Sequence, residues 1–145
     1  MKIYLGGDHA GFQLKEAVKK FLIDSGYEVK DFGPLEYNED DDYPDFCSQA
    51  AKAVAKDPDN SRGFLFGGSG QGEAMVANRQ KGVRATVFYG GPQDIVQLSR
   101  EHNNANILSL GGRFVKPDEA LQVAKMWLNT PFSTDPRHQR RIAKF

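Results

Sequence analysis

Short apolar runs and amphipathic stretches alternate along the chain. Lys2-Ile3-Tyr4-Leu5 reads as a strand that stops at Gly6-Gly7. Over residues 12–25, Leu14, Ala17, Val18, Phe21 and Leu22 recur at helical spacing, Lys15, Glu16, Lys19 and Lys20 take the opposite side, and Gly26 supplies a stop. Tyr27 to Phe32 alternates with the period of a strand. Residues 33–44 form an acidic loop, and the helix predicted over about 44–56 has Pro44 in its first turn. Gly63-Phe64-Leu65-Phe66 is apolar throughout, as in a strand covered on both faces. A glycine-rich loop follows, then a helix to about Gln80. Residues 83–88 read as a strand, 92–103 as a helix and 106–110 as a strand. Ala120, Val123, Ala124, Trp127 and Leu128 mark a helix after Pro117, and residues 135–145 a short basic helix.

This alternation predicts an α/β fold: a three-layer, Rossmann-like sandwich with a parallel five-stranded sheet and helices on both faces. No linker or repeat interrupts it, and 145 residues suit one domain, 1–145, whose basic segment from about 135 to 145 contributes to a site. Ligands of such sheets bind beyond the carboxyl ends of the strands, so the residues directly after each strand are the ones to examine.

Charge narrows the partners. Nineteen Lys and Arg balance nineteen Asp and Glu, which argues against broad attachment to nucleic acid or an anionic membrane. No apolar run approaches the roughly 20 residues of a membrane span, and the N-terminus lacks the pattern of a signal peptide, so a cytoplasmic location is expected. The single cysteine, Cys47, falls in a helical apolar pattern, which makes it a buried small hydrophobe that cannot close an internal disulfide.

Glycines and polar groups gather at the strand ends. Strand one leads into Gly6-Gly7-Asp8-His9-Ala10-Gly11, strand three into Gly67-Gly68-Ser69-Gly70-Gln71-Gly72-Glu73, and strand five into Gly111-Gly112-Arg113. The central loop lacks the Gly-Lys-Ser/Thr of a phosphate-binding P-loop, and the first turn lacks the middle glycine of a dinucleotide fingerprint. Four glycines in the six residues from Gly67 to Gly72 still let backbone N–H groups face an anionic oxygen at a helix start. Glu73, in the first helical turn, either complements the helix dipole or acts as a general base. A helix start lowers a carboxyl pKa and burial raises it, so the second role requires burial. Ser69 is a turn serine or an oxyanion donor. Asp8 either caps a helix or joins His9 in chemistry. His102 stands at a helix end. Arg137, Arg140 and Arg141 share one helical face, which suits a phosphate better than a polyanion. Glu36, Glu39, Asp40, Asp41, Asp42 and Asp45 lack the spacing of a calcium loop and are expected to be a solvated stretch.

Five segments in order resemble the ribose-5-phosphate isomerase B family, which includes galactose-6-phosphate isomerase subunits: Gly6 to Gly11, Gly67 to Glu73 continuing to Gly82-Val83-Arg84-Ala85, His102-Asn103-Asn104, Leu110 to Arg113, and Arg137 to Ile142. The resemblance implies isomerisation of ribose 5-phosphate to ribulose 5-phosphate through a cis-enediolate. It implies no metal or organic cofactor, and a homodimer or dimer of dimers with sites shared between chains. Many members open the glycine loop with a cysteine base. Here that position is Gly67, and the sequence resembles the branch in which a glutamate takes over, which carries the base to Glu73. By the same resemblance Gly68, Ser69, Gly70, Gln71 and Gly72 stabilise enediolate oxygen, Gly67 binds substrate, Asp8 and His9 bind sugar hydroxyls with His9 also a phosphate ligand, and Asp8 or His102 opens the ring. Asn103 binds substrate, Arg113, Arg137, His138 and Arg141 hold the phosphate, and Arg140 is left out. Two alternatives stay open from the sequence: an isomerase of allose or galactose 6-phosphate, and a non-catalytic module that binds a sugar phosphate or nucleotide.

Overall fold

A computed structural model describes residues 1–145. Five strands, β1 (Lys2–Gly7), β2 (Glu28–Asp31), β3 (Ser61–Gly67), β4 (Ala85–Phe88) and β5 (Ile107–Gly111), form one sheet in the order β2-β1-β3-β5-β4, with every neighbouring pair parallel. The helices are α1 (Phe12–Asp24), α2 (Tyr43–Lys56), α3 (Gln71–Ala77), α4 (Asp94–Glu101), α5 (Pro117–Asn129) and α6 (Pro136–Ile142), and a single 3-10 turn, His9–Gly11, precedes α1.

The right-handed crossover rule allots helices to faces by direction of travel. β1 to β2 and β4 to β5 step one way across the sheet, and α1 and α4 lie on one face. β2 to β3 and β3 to β4 step the other way, and α2 and α3 lie on the opposite face. Side chains follow the two-residue period of the strands. Phe64, Phe66, Leu108 and Leu110 pack with Leu14, Val18, Val123 and Trp127 of α1 and α5. Leu65 and Ile107 point the other way, to Cys47, Ala50, Ala51 and Val54 of α2 and Ala77 of α3. The expected three-layer sandwich is therefore present.

Local differences have local causes. α3 ends at Ala77, three residues before the expected Gln80, because the Asn78 side chain turns to the β4 backbone, donating to Ala85 O at 3.0 Å and accepting from Ala85 N at 2.8 Å. The fourth strand begins at Ala85 rather than 83, since Arg84 O accepts Asn106 N (3.0 Å) at the entrance to β5. α4 spans 94–101 instead of 92–103, for Gly90 and Gly91 hold positive φ and Asn104 turns to φ 47°.

Lys15 is fully buried, its Nζ on Asp31 Oδ2 (2.5 Å) and Glu16 Oε1 (2.7 Å), and Lys19 joins both carboxylates. Asp31 Oδ1 accepts Gly33 N at 2.9 Å, and Gly33 O accepts Gly7 N at 3.0 Å, so the network steadies the turn after β1. Burial alone would raise the Asp31 pKa, but hydrogen bonds from Lys15 and Lys19 outweigh it and the net direction is down. A depressed carboxyl stabilises the fold above its unfolded pKa of about 3.9 and loses that contribution as pH falls through the folded value. Asp31→Asn should cost about 3 kcal/mol at neutral pH, near the cost of orphaning one buried partner. Denaturant titrations should show the gap from wild type closing on acidification below about pH 4.

Candidate active site

The connections from β1 and β3 leave in opposite directions, which opens a crevice between the two strands at their carboxyl ends. A cleft of about 430 Å³ occupies it, lined by Asp8, His9, Tyr43, Gly68, Ser69, Gly72, Glu73 and Arg113. That size lies within the ordinary range of small-ligand pockets, about 300–1,000 Å³.

Glu73 is buried within the first turn of α3. A Cβ built on Gly67 would fall 1.8 Å from Glu73 Oε1 and 2.1 Å from Cδ. The carboxyl thus fills the space that a side chain at 67 would need. Burial raises the Glu73 pKa, its own backbone N–H offsets part of that, and the neighbouring Asp8 charge raises it again, with a net rise. The burial that the general-base role requires is therefore present.

Asp8 Oδ1 accepts Gly11 N at 3.1 Å, so Asp8 does cap the turn before α1, while the same side chain lines the cleft. Gly70 caps the start of α3 in the left-handed region at φ 79°, and Ser109 Oγ donates to its carbonyl at 2.6 Å, anchoring the loop from β5. Ser69 Oγ accepts Gln71 N at 3.4 Å.

One cleft residue, Tyr43, and one that supports a cleft residue, Asp41, carry no mark in the sequence. Tyr43 begins α2, and its hydroxyl lies so near Gly72 that a Cβ there would approach it to 2.7 Å. No periodicity or motif distinguishes it. Asp41 departs from the solvated stretch expected for 36–45. Its side chain is only 4% exposed, and its Oδ1 accepts His9 N at 2.9 Å and contacts His9 Nδ1 at 2.8 Å. The five other acids remain at the surface, as expected. Only the folding of the chain back over the cleft turns Asp41 inward, and one-dimensional spacing does not carry that.

The remaining candidates gather elsewhere. α4 runs back from the carboxyl end of β4, so His102 and Asn103 stand beside the start of β5. α5 returns likewise, and α6 begins at that same end. β5, five residues long, puts roughly 16 Å between these groups and the cleft. There the His102 and His138 rings stack, with centroids 4.2 Å apart and planes 14° apart. Burial and the neighbouring His102 lower the His138 pKa, which keeps its ring neutral at pH 7. Arg137, Arg140 and Arg141 are exposed beside it. Arg100 steadies the turn: it lies over Trp127, Nε donates to Thr130 O (3.2 Å) and Nη1 to Asn104 Oδ1 (2.9 Å). Burial, with Arg62 and Arg84 nearby, brings Arg100 down to about 10, so it stays charged.

No group of three or more His, Cys, Asp or Glu is placed to hold a metal ion. Cys47 is fully buried, and burial together with Glu73, Asp8 and Asp41 pushes its thiol pKa up, so it supplies no thiolate. No helix is long and apolar enough to cross a membrane.

Residues 3–145 match the family model described as Ribose/Galactose Isomerase. A protein of Mycolicibacterium paratuberculosis named ribose-5-phosphate isomerase B is 46% identical over 142 residues, 98% of this chain and 87% of that protein. The crystal structure of ribose-5-phosphate isomerase B from Mycoplasma genitalium with bound ribulose 5-phosphate superposes with a TM-score of 0.93 at 38% identity, covering 99% of this chain and 92% of that one. The ribose-5-phosphate isomerase B of Clostridium thermocellum gives 0.91 at 43% identity, covering 99% and 94%.

Gly67→Ala should drive the Glu73 carboxyl out of its niche. An overpacking cost of about 1–3 kcal/mol is expected. Carboxyl titration followed by NMR should show the Glu73 pKa returning toward the ordinary glutamate value, about 4.3.

Proposed function

The chain belongs to the ribose/galactose isomerase family, and from that membership we infer that it interconverts ribose 5-phosphate and ribulose 5-phosphate. The observation that carries the mechanism is the Glu73 carboxyl in the niche left by Gly67, beside Asp8 and the loop that opens α3. In the open-chain aldose, Glu73 takes the proton from C2 and returns it to C1, while the hydroxyl proton of O2 passes to O1. The intermediate is a cis-enediolate. Ser69 Oγ and the backbone N–H groups of Gly68, Gly70, Gln71 and Gly72 stabilise its oxygens, a contribution of the kind worth about 10²–10³ in rate per donor elsewhere. A raised pKa suits Glu73 to both strokes, since the same group must accept and release a proton near neutrality. Asp8 and His9 bind sugar hydroxyls. A non-catalytic module would have no use for a buried carboxylate beside a second acid, and the relatives' names favour the pentose over a hexose.

Ring opening and phosphate binding fall to His102, Asn103, Arg137 and Arg141 at the far end of the sheet, joined by Arg113 in the cleft. His138, neutral and stacked on His102, orients that ring and lends a hydrogen bond instead of a charge. A complete site therefore combines the cleft of one chain with the basic end of a second, in a homodimer or a dimer of dimers. Met75, Tyr89, Ile95, Leu98 and Phe114, all exposed, offer apolar surface for that contact, and Phe114 lines the cleft itself. The reaction is a step of pentose phosphate metabolism. A doubly charged sugar phosphate does not cross membranes unaided, so the enzyme is expected in the same compartment as its substrate, the cytoplasm.

Glu73→Gln should lower kcat by about 10²–10⁴, the usual worth of a positioned base, while binding is retained. In the wild type the acidic limb of kcat/KM should lie above about pH 4.3, because the Glu73 pKa is raised. Turnover near wild type in Glu73→Gln removes Glu73 as the base. Arg137→Ala should raise KM roughly tenfold or more through loss of a charged hydrogen bond, with kcat little changed. Mixing the two variants, assayed at substrate well below KM, should recover about one quarter of wild-type activity if random dimers form and each site draws on both chains. Mixtures no better than their parents would confine each site to one chain.

A further inference from the structure

Asp41 is the one acid of residues 36–45 whose side chain is buried, and it does nothing for the core. Both of its contacts go to one residue: Oδ1 accepts the His9 backbone N–H at 2.9 Å and meets His9 Nδ1 at 2.8 Å. Its other oxygen, Oδ2, is buried with no hydrogen-bond partner. Buried polar atoms of native proteins are nearly always paired, and a surface loop has no need to turn a carboxylate inward at that cost. The placement makes sense if what matters is the histidine. Tyr37 closes the ring's other side, edge-on at 6.3 Å, and itself rests edge-on against Phe12 at 6.2 Å. His9 is thus fixed by its backbone, by one ring nitrogen and by a ring edge, while its side chain stays 27% exposed and lines the cleft.

An ionised carboxylate has no proton to give, so the ring nitrogen it meets must carry one. The hydrogen bond made by one imidazole nitrogen sets the proton on the other. We propose that Asp41 is a positioning residue that holds neutral His9 as the Nδ1–H tautomer, so that Nε2 is presented to the cleft as an acceptor for a substrate hydroxyl. The role in turnover rests on the proposed assignment of His9 to the sugar phosphate, whereas the tautomer is a property of the free protein. Glu73 moves the carbon-bound proton, and His9, oriented by Asp41, fixes the hydroxyl next to it. With Asp41 gone, the proton would shift toward Nε2 and turn the acceptor into a donor.

The test uses the full chain in solution. A nitrogen–proton correlation spectrum of His9, taken at a pH where the ring is neutral, should show Nδ1 protonated and Nε2 bare. Asp41→Asn, whose amide oxygen can accept the same two N–H groups, should keep that pattern, and Asp41→Ala should lose it. Asp41→Ala should also lower kcat/KM by roughly 10–100-fold, the range seen when a histidine's orienting partner is removed in metal sites. In a His9→Ala background it should add nothing, because its effect runs through the ring. A wild-type ring protonated on Nε2 overturns the proposal without any variant. So does an Asp41→Ala spectrum identical to wild type, or additivity of the two substitutions. The spectrum is recorded without substrate, so the tautomer it reveals does not depend on which sugar phosphate is turned over.

Discussion

The carbonyl of Phe66, near the end of β3, accepts Asp8 N at 3.0 Å, and the carbonyls of Gly67 and Gly68 accept Gly112 N and Arg113 N at 2.7 and 3.1 Å. Through these bonds the turns after β1, β3 and β5 hold one another at backbone contact. Side chains would prevent it: a Cβ on Gly11 would fall 2.3 Å from the Phe66 carbonyl carbon. Fixing Asp8, the α3 loop and Arg113 in one frame is what lets a cleft of loop residues be rigid. The network from Lys15 through Asp31 to Gly33 and Gly7 braces the frame from the edge strand. Among these glycines, Gly67 leaves a niche that the Glu73 carboxyl fills, 1.8 Å from where a Cβ would lie.

Glu73 in that niche feels two opposed effects, and their sizes decide its state. A helix start favours the ionised form by about 0.3–1 kcal/mol, less than one pKa unit. Desolvation of a fully buried carboxyl can move the pKa the other way by up to 3–5 units. Glu73 is partly screened and its own N–H opposes the rise, yet burial remains the larger influence and Asp8 adds to it. A glycine at 67 and a glutamate at 73 therefore work as one substitution. A side chain at 67 would occupy the glutamate's place, and a carboxyl expelled to solvent would lose the burial that raises its pKa.

The sheet is legible in the sequence because its signals are one-dimensional. Alternation of Phe64-Leu65-Phe66 between two cores follows from strand period alone, and the glycine clusters at 6–7, 67–72 and 111–112 mark strand ends whatever the order of strands. The cleft acids Asp8 and Glu73 are legible for the same reason, since each directly follows a strand or opens a helix. Tyr43 and Asp41 are not. The long β2–α2 connection sets both, bringing Asp41 onto His9 and Tyr43, at the start of α2, into the cleft, and neither residue type nor spacing separates Asp41 from five acids that stay in water. The early end of α3 is hidden as well, because it depends on the Asn78 side chain meeting Ala85, a contact between segments seven residues apart in sequence that only the turn creates.

Topology also decides what one chain can do alone. In a parallel sheet, residues after strands lie at one end and residues after helices at the other. Asp8, Glu73 and Arg113 are of the first kind; His102, Asn103 and the arginines of α6 are of the second. No rearrangement of loops closes a gap of a whole strand length, roughly 16 Å, without unmaking β5. On the function proposed above, a ligand that needs both the buried carboxylate and the arginines of α6 is met by two copies with opposite ends apposed. A chain with zero formal net charge suits that assembly, for a copy's basic end can approach a partner's acidic cleft without overall repulsion.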